Sequence, residues 1–194
     1  MDNTLLRIDS SLRREGSYSR HLGDFFIQEW KKRNPAFKIK QRDLSKVEIN
    51  HLNKETLECF FGDSSQTDLL KLSDELITEL FNVNEILITV PMYNFGIPSA
   101  LKAYFDLVVR KEKTYTYADT GTGLLKNKKA YIISSMGGEN GDAKNLVEIH
   151  LRRILSYIGI TEIHCLTIDG TADQTTVKEK TSIKKNEIIN LLNH

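Results

Sequence analysis

Two stretches constrain the fold more than any others: "EILITVP" (residues 85–91) and "KAYIISS" (129–135). Each is a continuous apolar run of strand length. A strand that is apolar on both sides must be covered on both sides, and parallel sheets sandwiched between helices provide that cover. The rest of the chain fits this demand. "TLLRID" (4–9), "FKIKQRDL" (37–44) and "EIHCLTI" (162–168) read as three further strands, the second alternating like an edge strand. Between them the apolar residues recur at helical spacing. Leu22, Phe25, Phe26 and Trp30 form one stripe, closed by Asn34-Pro35. Leu69, Leu72, Leu76 and Leu80 form a second, and Leu101, Tyr104, Phe105 and Val108 a third, with Pro98 suited to its first turn. Val147, Leu151, Ile154, Leu155 and Ile158 form a fourth, stopped by Gly159, and residues 175–192 read as a charged surface helix. Strand and helix alternate without repeat or linker, so residues 1–194 read as a single α/β domain, a doubly wound five-stranded parallel sheet with helices on both faces.

Composition removes several function classes. The formal charge is +1, without the basic excess of a nucleic-acid binder. The two cysteines, Cys59 and Cys165, stand far apart with no CxxC, and the five histidines show no metal-ligand spacing. No metal site is expected, and a reducing, cytoplasmic setting is. The first residues, "MDNTLLRIDSS", hold no apolar run of signal-peptide or membrane-span length, so no membrane partner is expected. No Ser-His-Asp or Cys-His constellation suggests a nucleophile, and no catalytic side chain is assigned.

In a doubly wound sheet, ligands bind beyond the carboxyl ends of the strands. Three loops there are unusual. After the first strand, "DSSLRREGSYSRHL" supplies the hydroxyls of Ser10, Ser11, Ser17 and Ser19 leading into a helix, where free N–H groups and the dipole favour a phosphate. Ser19 or its neighbour is expected to cap that helix. The loop matches neither the dinucleotide glycine fingerprint nor the Walker pattern. After the third strand, Met92, Tyr93, Asn94 and Phe95 offer rings and an amide, suited to the plane and edge of a flat heterocycle, while by composition alone Tyr93 and Phe95 read first as a cover over the top of the core. After the fourth, in "SSMGGENG", the adjacent Gly137 and Gly138 allow close backbone approach to a ligand, though Gly-Gly also makes ordinary turns. A phosphate at one end and a flat ring at the other describe flavin mononucleotide (FMN).

"PMYNFGIPSALKAYFD", with "DSS…GSYS" upstream and "ISSMGG" downstream, resembles the FMN-dependent NAD(P)H azoreductases, also described as FMN-dependent NADH:quinone oxidoreductases. The resemblance runs from Leu5 to about Gly170. It implies a flavodoxin-like fold, one non-covalent FMN per subunit and a homodimer with active sites at the interface. It also implies two-electron reduction of quinones and azo compounds by NADH or NADPH. By position, Ser11 and Ser17-Tyr18-Ser19 would hold the phosphate, Met92 to Phe95 would border the isoalloxazine, and Ser135 to Gly138 would bond its pyrimidine edge. Tyr115 and Tyr117 would reach the substrate. Met136 stands where members often carry a polar or basic residue, and the loop "TYTYADTGTGLL" is slightly shortened. If donor and acceptor share one open flavin face, they must alternate, which gives ping-pong kinetics.

Two flavin-binding alternatives remain open at this level: an electron-transfer protein of the flavodoxin type and an NAD(P)H:flavin reductase. A signalling receiver domain is set aside, because the end of the third strand carries Pro91-Met92-Tyr93 where a phosphorylatable Asp is needed.

Overall fold

The computed structural model describes residues 3–62, 67–117, 121–139 and 145–193. The chain runs β1 (Thr4–Asp9), α1 (Tyr18–Arg33), β2 (Lys38–Asp43), α2 (Lys54–Phe61), a 3-10 turn (Thr67–Leu70), α3 (Lys71–Phe81) and β3 (Glu85–Pro91). It continues through α4 (Ser99–Val108), a small antiparallel ribbon of β4 (Tyr115–Thr116) and β5 (Thr122–Gly123), β6 (Lys129–Ser135), α5 (Leu146–Tyr157), β7 (Glu162–Ile168) and α6 (Val177–Leu191). Strands β2-β1-β3-β6-β7 form one parallel sheet in that order. This is the doubly wound order expected from the apolar runs, with its switch point between β1 and β3.

Each central strand is apolar on both sides because it serves two cores. Leu6, Ile8, Ile86, Ile88, Val90, Ala130 and Ile132 meet α3, α4 and α5 on one face. Leu5, Leu87, Tyr131, Ile133, Leu166 and Ile168 meet Leu22, Phe26 and Trp30 of α1 and Val177 and Ile188 of α6 on the other. Each such side chain contributes about 1.5–3 kcal/mol when fully buried. The amphipathic stripes lie on α1, α3, α4 and α5, except that the second, expected as one helix from Thr67 to Phe81, begins as the 3-10 turn Thr67–Leu70 and becomes α-helical only at Lys71. Pro98 sits one residue earlier than its spacing suggested, at the N-cap position, and α4 starts at Ser99. Gly159, with φ 108°, ends α5. The closing helix is only partly a surface element, since Val177 and Ile188 pack under it against α1.

Two elements were not expected. Helix α2 starts at an Asn53 cap, whose side chain accepts from the Thr56 N–H, and ends at Gly62 in the left-handed region. The β4–β5 ribbon is pressed against the end of α5: a methyl on Gly123 would lie 2.1 Å from the Gly159 nitrogen. Among the described residues, no helix is long and apolar enough to cross a membrane.

Candidate active site

The β1–α1 loop is organised by Ser17. It is the N-cap of α1, and its Oγ accepts the Arg20 N–H at 3.4 Å. The Ser19 hydroxyl is fully buried 3.3 Å from the Ser17 hydroxyl, so Ser19 stands inside the first turn and Ser17 does the capping. Gly16 supplies the left-handed backbone (φ 67°) that brings the loop to this cap. Ser11, also buried, accepts the Arg13 N–H at 3.2 Å, and its Oγ stands 3.5 Å from the Tyr93 hydroxyl. Tyr93 thereby ties the first loop to the second.

The second loop, after β3, is a tight turn. Tyr93 and Gly96 exchange both backbone hydrogen bonds, at 2.9 and 3.0 Å, around a two-residue turn. Its central residues, Asn94 (φ 48°) and Phe95 (φ 63°), both have positive φ, the signature of a type I′ turn. Asn tolerates this conformation; a phenylalanine is strained in it. Phe95 is nevertheless 79% exposed, so core packing does not hold it there.

In the third loop, backbone geometry carries the chemistry. The Met136 carbonyl accepts from the N–H of Thr171 (3.1 Å) and from its Oγ1 (2.9 Å). The carbonyls of Gly137 and Gly138 accept from Ala172 N (3.1 Å) and Gly170 N (2.8 Å). A trans peptide points its C=O and the next N–H in opposite directions. With these carbonyls turned to the β7 loop, the N–H groups of Gly137 and Gly138 face away from it, and neither donates to a partner among the described residues. They are available to the carbonyl-rich edge of a heterocycle.

These loops enclose one cavity of about 490 Å³. Of the residues expected from sequence, Ser11, Ser17, Tyr18, Met92, Tyr93, Ser135, Met136 and Gly137 line it. Ser19, Asn94, Phe95 and Gly138 stand in the same loops without lining it. Thr171, Ala172 and Gln174, after β7, line it and were not expected. The signal for them was present: "DGTADQTT" is a cluster of turn residues at the carboxyl end of a strand.

Tyr115 and Tyr117 stand apart from this cavity. On the β4–β5 ribbon their rings lie 5.4 Å apart, and Tyr115 packs on Tyr157 of α5 at 4.7 Å. Hydrogen bonding with Tyr157 and then Tyr115 holds the Tyr117 phenol below its ordinary range, helped by the charge of Lys111. Burial pushes Tyr115 up. Within one subunit these rings do not meet the serine and glycine loops.

Behind the serine loop lies a buried charge network. Asp9 and Asp43 are register partners on β1 and β2. Fully buried Asp9 accepts from Arg7 Nε (3.0 Å), Thr89 Oγ1 (2.6 Å) and Gln41 Nε2 (2.7 Å). Arg20 grips Asp43 through both Nη atoms, at 2.6 and 3.1 Å. Burial alone would raise the Asp43 carboxyl, but the hydrogen bonds from Arg20 and Ser45 outweigh it and pull it down to about 2.

The flavodoxin-like fold family matches residues 3–192. The FMN-dependent NADH:quinone oxidoreductase of Hydrogenovibrio crunogenus (strain DSM 25203 / XCL-2) is 38% identical over 200 residues, spanning 97% of this chain and 99% of that protein. The protein of the same name from Marinomonas sp. (strain MWYL1) is 39% identical, spanning 81% and 83%. The solved FMN-dependent NADH-azoreductase of Bacillus anthracis str. Ames Ancestor, in complex with FMN, shares the fold: its TM-score is 0.84 at 21% identity, over 98% of this chain and 100% of that one. The chain belongs to the FMN-dependent NADH:quinone oxidoreductase family.

Proposed function

We propose that the protein binds one FMN per subunit without a covalent bond and catalyses two-electron reduction of quinones, and of azo compounds, with NADH or NADPH as donor. The observation that carries this reading is the single cavity lined by the serine, aromatic and glycine loops. Its ends differ in the way FMN does. At one end, Ser11 and Ser17 hydroxyls and the first N–H groups of α1 suit a dianionic phosphate. At the other, Met92 and Tyr93 offer apolar contact and the Gly137 N–H offers an edge donor. The Arg20 guanidinium lies behind the serine loop, its charge paired with Asp43 and its Nε N–H buried without a hydrogen-bond partner among the described residues.

When bound, FMN supplies the hydride chemistry, which no side chain of the cavity could supply. The chain orients and shields. The serine loop fixes the phosphate end, the Met92–Tyr93 segment sets the ring plane, and the β6 and β7 loops cover one side. Donor and acceptor are then left the other side in turn, and the kinetic order is ping-pong. Tyr115 and Tyr117 enter the site from a second subunit, so the working form is a homodimer, placed in the cytoplasm.

The deciding experiment is the visible spectrum of the purified protein reconstituted with FMN, followed by NADH oxidation with a quinone. A yellow, acid-releasable flavin identified as FMN by mass, with parallel reciprocal plots, is the expected result. No flavin after reconstitution, or FMN bound without quinone-dependent NADH oxidation, would refute the reading; the second outcome would leave an electron-transfer flavoprotein.

A further inference from the structure

We infer that Arg20 is a positioning residue for the cofactor phosphate, acting through the Ser11–Leu12 peptide; the inference rests on the FMN reading above. Arg20 is 8% exposed and lies behind the serine loop. Its Nη2 donates to the Ser11 carbonyl at 2.7 Å and to Asp43 Oδ1 at 2.6 Å; its Nη1 donates to Asp43 Oδ2 at 3.1 Å and lies 3.6 Å from Asp9 Oδ2. The guanidinium thus fastens the loop to the ends of both β1 and β2. Its own backbone is fastened as well, because the Arg20 N–H meets the Ser17 cap and the Arg20 carbonyl accepts Arg7 Nη2 at 3.3 Å.

The consequence follows from peptide planarity. With the Ser11 carbonyl drawn inward to Arg20, the Leu12 N–H on the same peptide points outward. Among the described residues it has no hydrogen-bond partner. Leu12 stands between Ser11 and Arg13, which both line the cavity, and on this proposal its N–H joins the Ser17 hydroxyl and the free N–H groups at the start of α1 as a backbone nest for an anion. A planar fork is needed for this task. It must hold a carboxylate through two nitrogens and a carbonyl through one of them, and a lysine ammonium cannot reproduce that geometry.

The role is tested by comparing FMN with riboflavin, which lacks the phosphate. In Arg20→Met the peptide is free to turn, and the Kd for FMN should rise roughly tenfold to a hundredfold, the loss of one hydrogen bond to a charged group. The Kd for riboflavin should change by less than about threefold. Arg20→Lys, which keeps the charge, should fall between wild type and Arg20→Met. In the wild-type protein, the Leu12 amide proton should move downfield on adding FMN and stay in place on adding riboflavin. That measurement holds even if both variants fold poorly. An unchanged FMN affinity, an equal loss of FMN and riboflavin, or a Leu12 amide indifferent to FMN would each overturn the proposal. Wild-type protein that binds FMN no better than riboflavin would sink the phosphate cradle itself, and this role with it.

Discussion

Replacing Phe95 with glycine should stabilise the fold and harm the function. Phe95 sits at φ 63°, where a side chain with a β-carbon costs about 1–2 kcal/mol. Glycine removes that cost and adds about 0.5–1 kcal/mol of chain entropy in the unfolded state. The ring is 79% exposed, so little burial is lost with it. The balance is a gain of about 0.5–1 kcal/mol, or roughly 1–4 °C in Tm for a domain of this size. Phe95→Ala keeps the strain and deletes the ring, so it should show no gain. Thermal unfolding of flavin-free wild type and both variants measures the backbone effect alone. Steady-state NADH:quinone activity of the FMN-loaded proteins measures the other half, and both variants should lose about tenfold in kcat/KM. A strained, exposed ring in a loop that borders the cavity is what a functional constraint leaves behind. A Phe95→Gly protein that melts lower than wild type would show that the turn is not strained. Full activity in both variants would show that the strain serves no reaction.

Three further outcomes follow from the structure. Ser17→Asp should leave α1 intact, since aspartate caps a helix as well as serine does, yet raise the Kd for FMN about tenfold to a hundredfold by placing a charge against the phosphate; equal Kd values by flavin fluorescence titration would move the phosphate elsewhere. Asp43 is held down at about 2, below its unfolded value, so its contribution of at most about 2 kcal/mol is present above pH 4 and lost as pH falls from 4 to 2. Asp43→Asn should flatten that part of the acid-unfolding curve, and a curve identical to wild type would contradict the assignment. Gly123→Ala places a methyl 2.1 Å from the Gly159 nitrogen, against backbone that cannot swing aside; a loss of about 1–3 kcal/mol should appear as a Tm drop of several degrees, and an unchanged Tm would mean the ribbon is not clamped to α5.

Much of the architecture could be read from local pattern, because the central strands are apolar on both sides and the helices keep their period. The switch-point loops after β1, β3 and β6 were readable for the same reason. What escaped was non-local. Asp9 and Arg7 lie in a strand, where charges ordinarily mark a solvent face; only the pairing of β1 with β2 and β3 shows that they are buried and satisfied. Helix α2 was hidden because its period spans only eight residues, with Leu57 and Phe61 left exposed. Phe95 escaped as a turn residue because its conformation opposes its own preference. Thr171 was missed because its use lies in a hydrogen bond across 35 positions, to the carbonyl of Met136.

That last contact also sets an order of events in the cell. The carbonyls of Met136, Gly137 and Gly138 are held by residues 170–172, which a ribosome delivers more than thirty positions later. Until β7 has paired with β6 and its loop has closed, the glycine N–H groups have nothing to orient them. A nascent chain of 135 or even 160 residues holds the serine loop and the aromatic turn but not the far wall of the cavity. Parallel strands pair late because their partners are distant along the chain. Capture of a ligand in this cavity therefore waits for residues 162–172, and its appearance reports that the fifth strand of the sheet has docked.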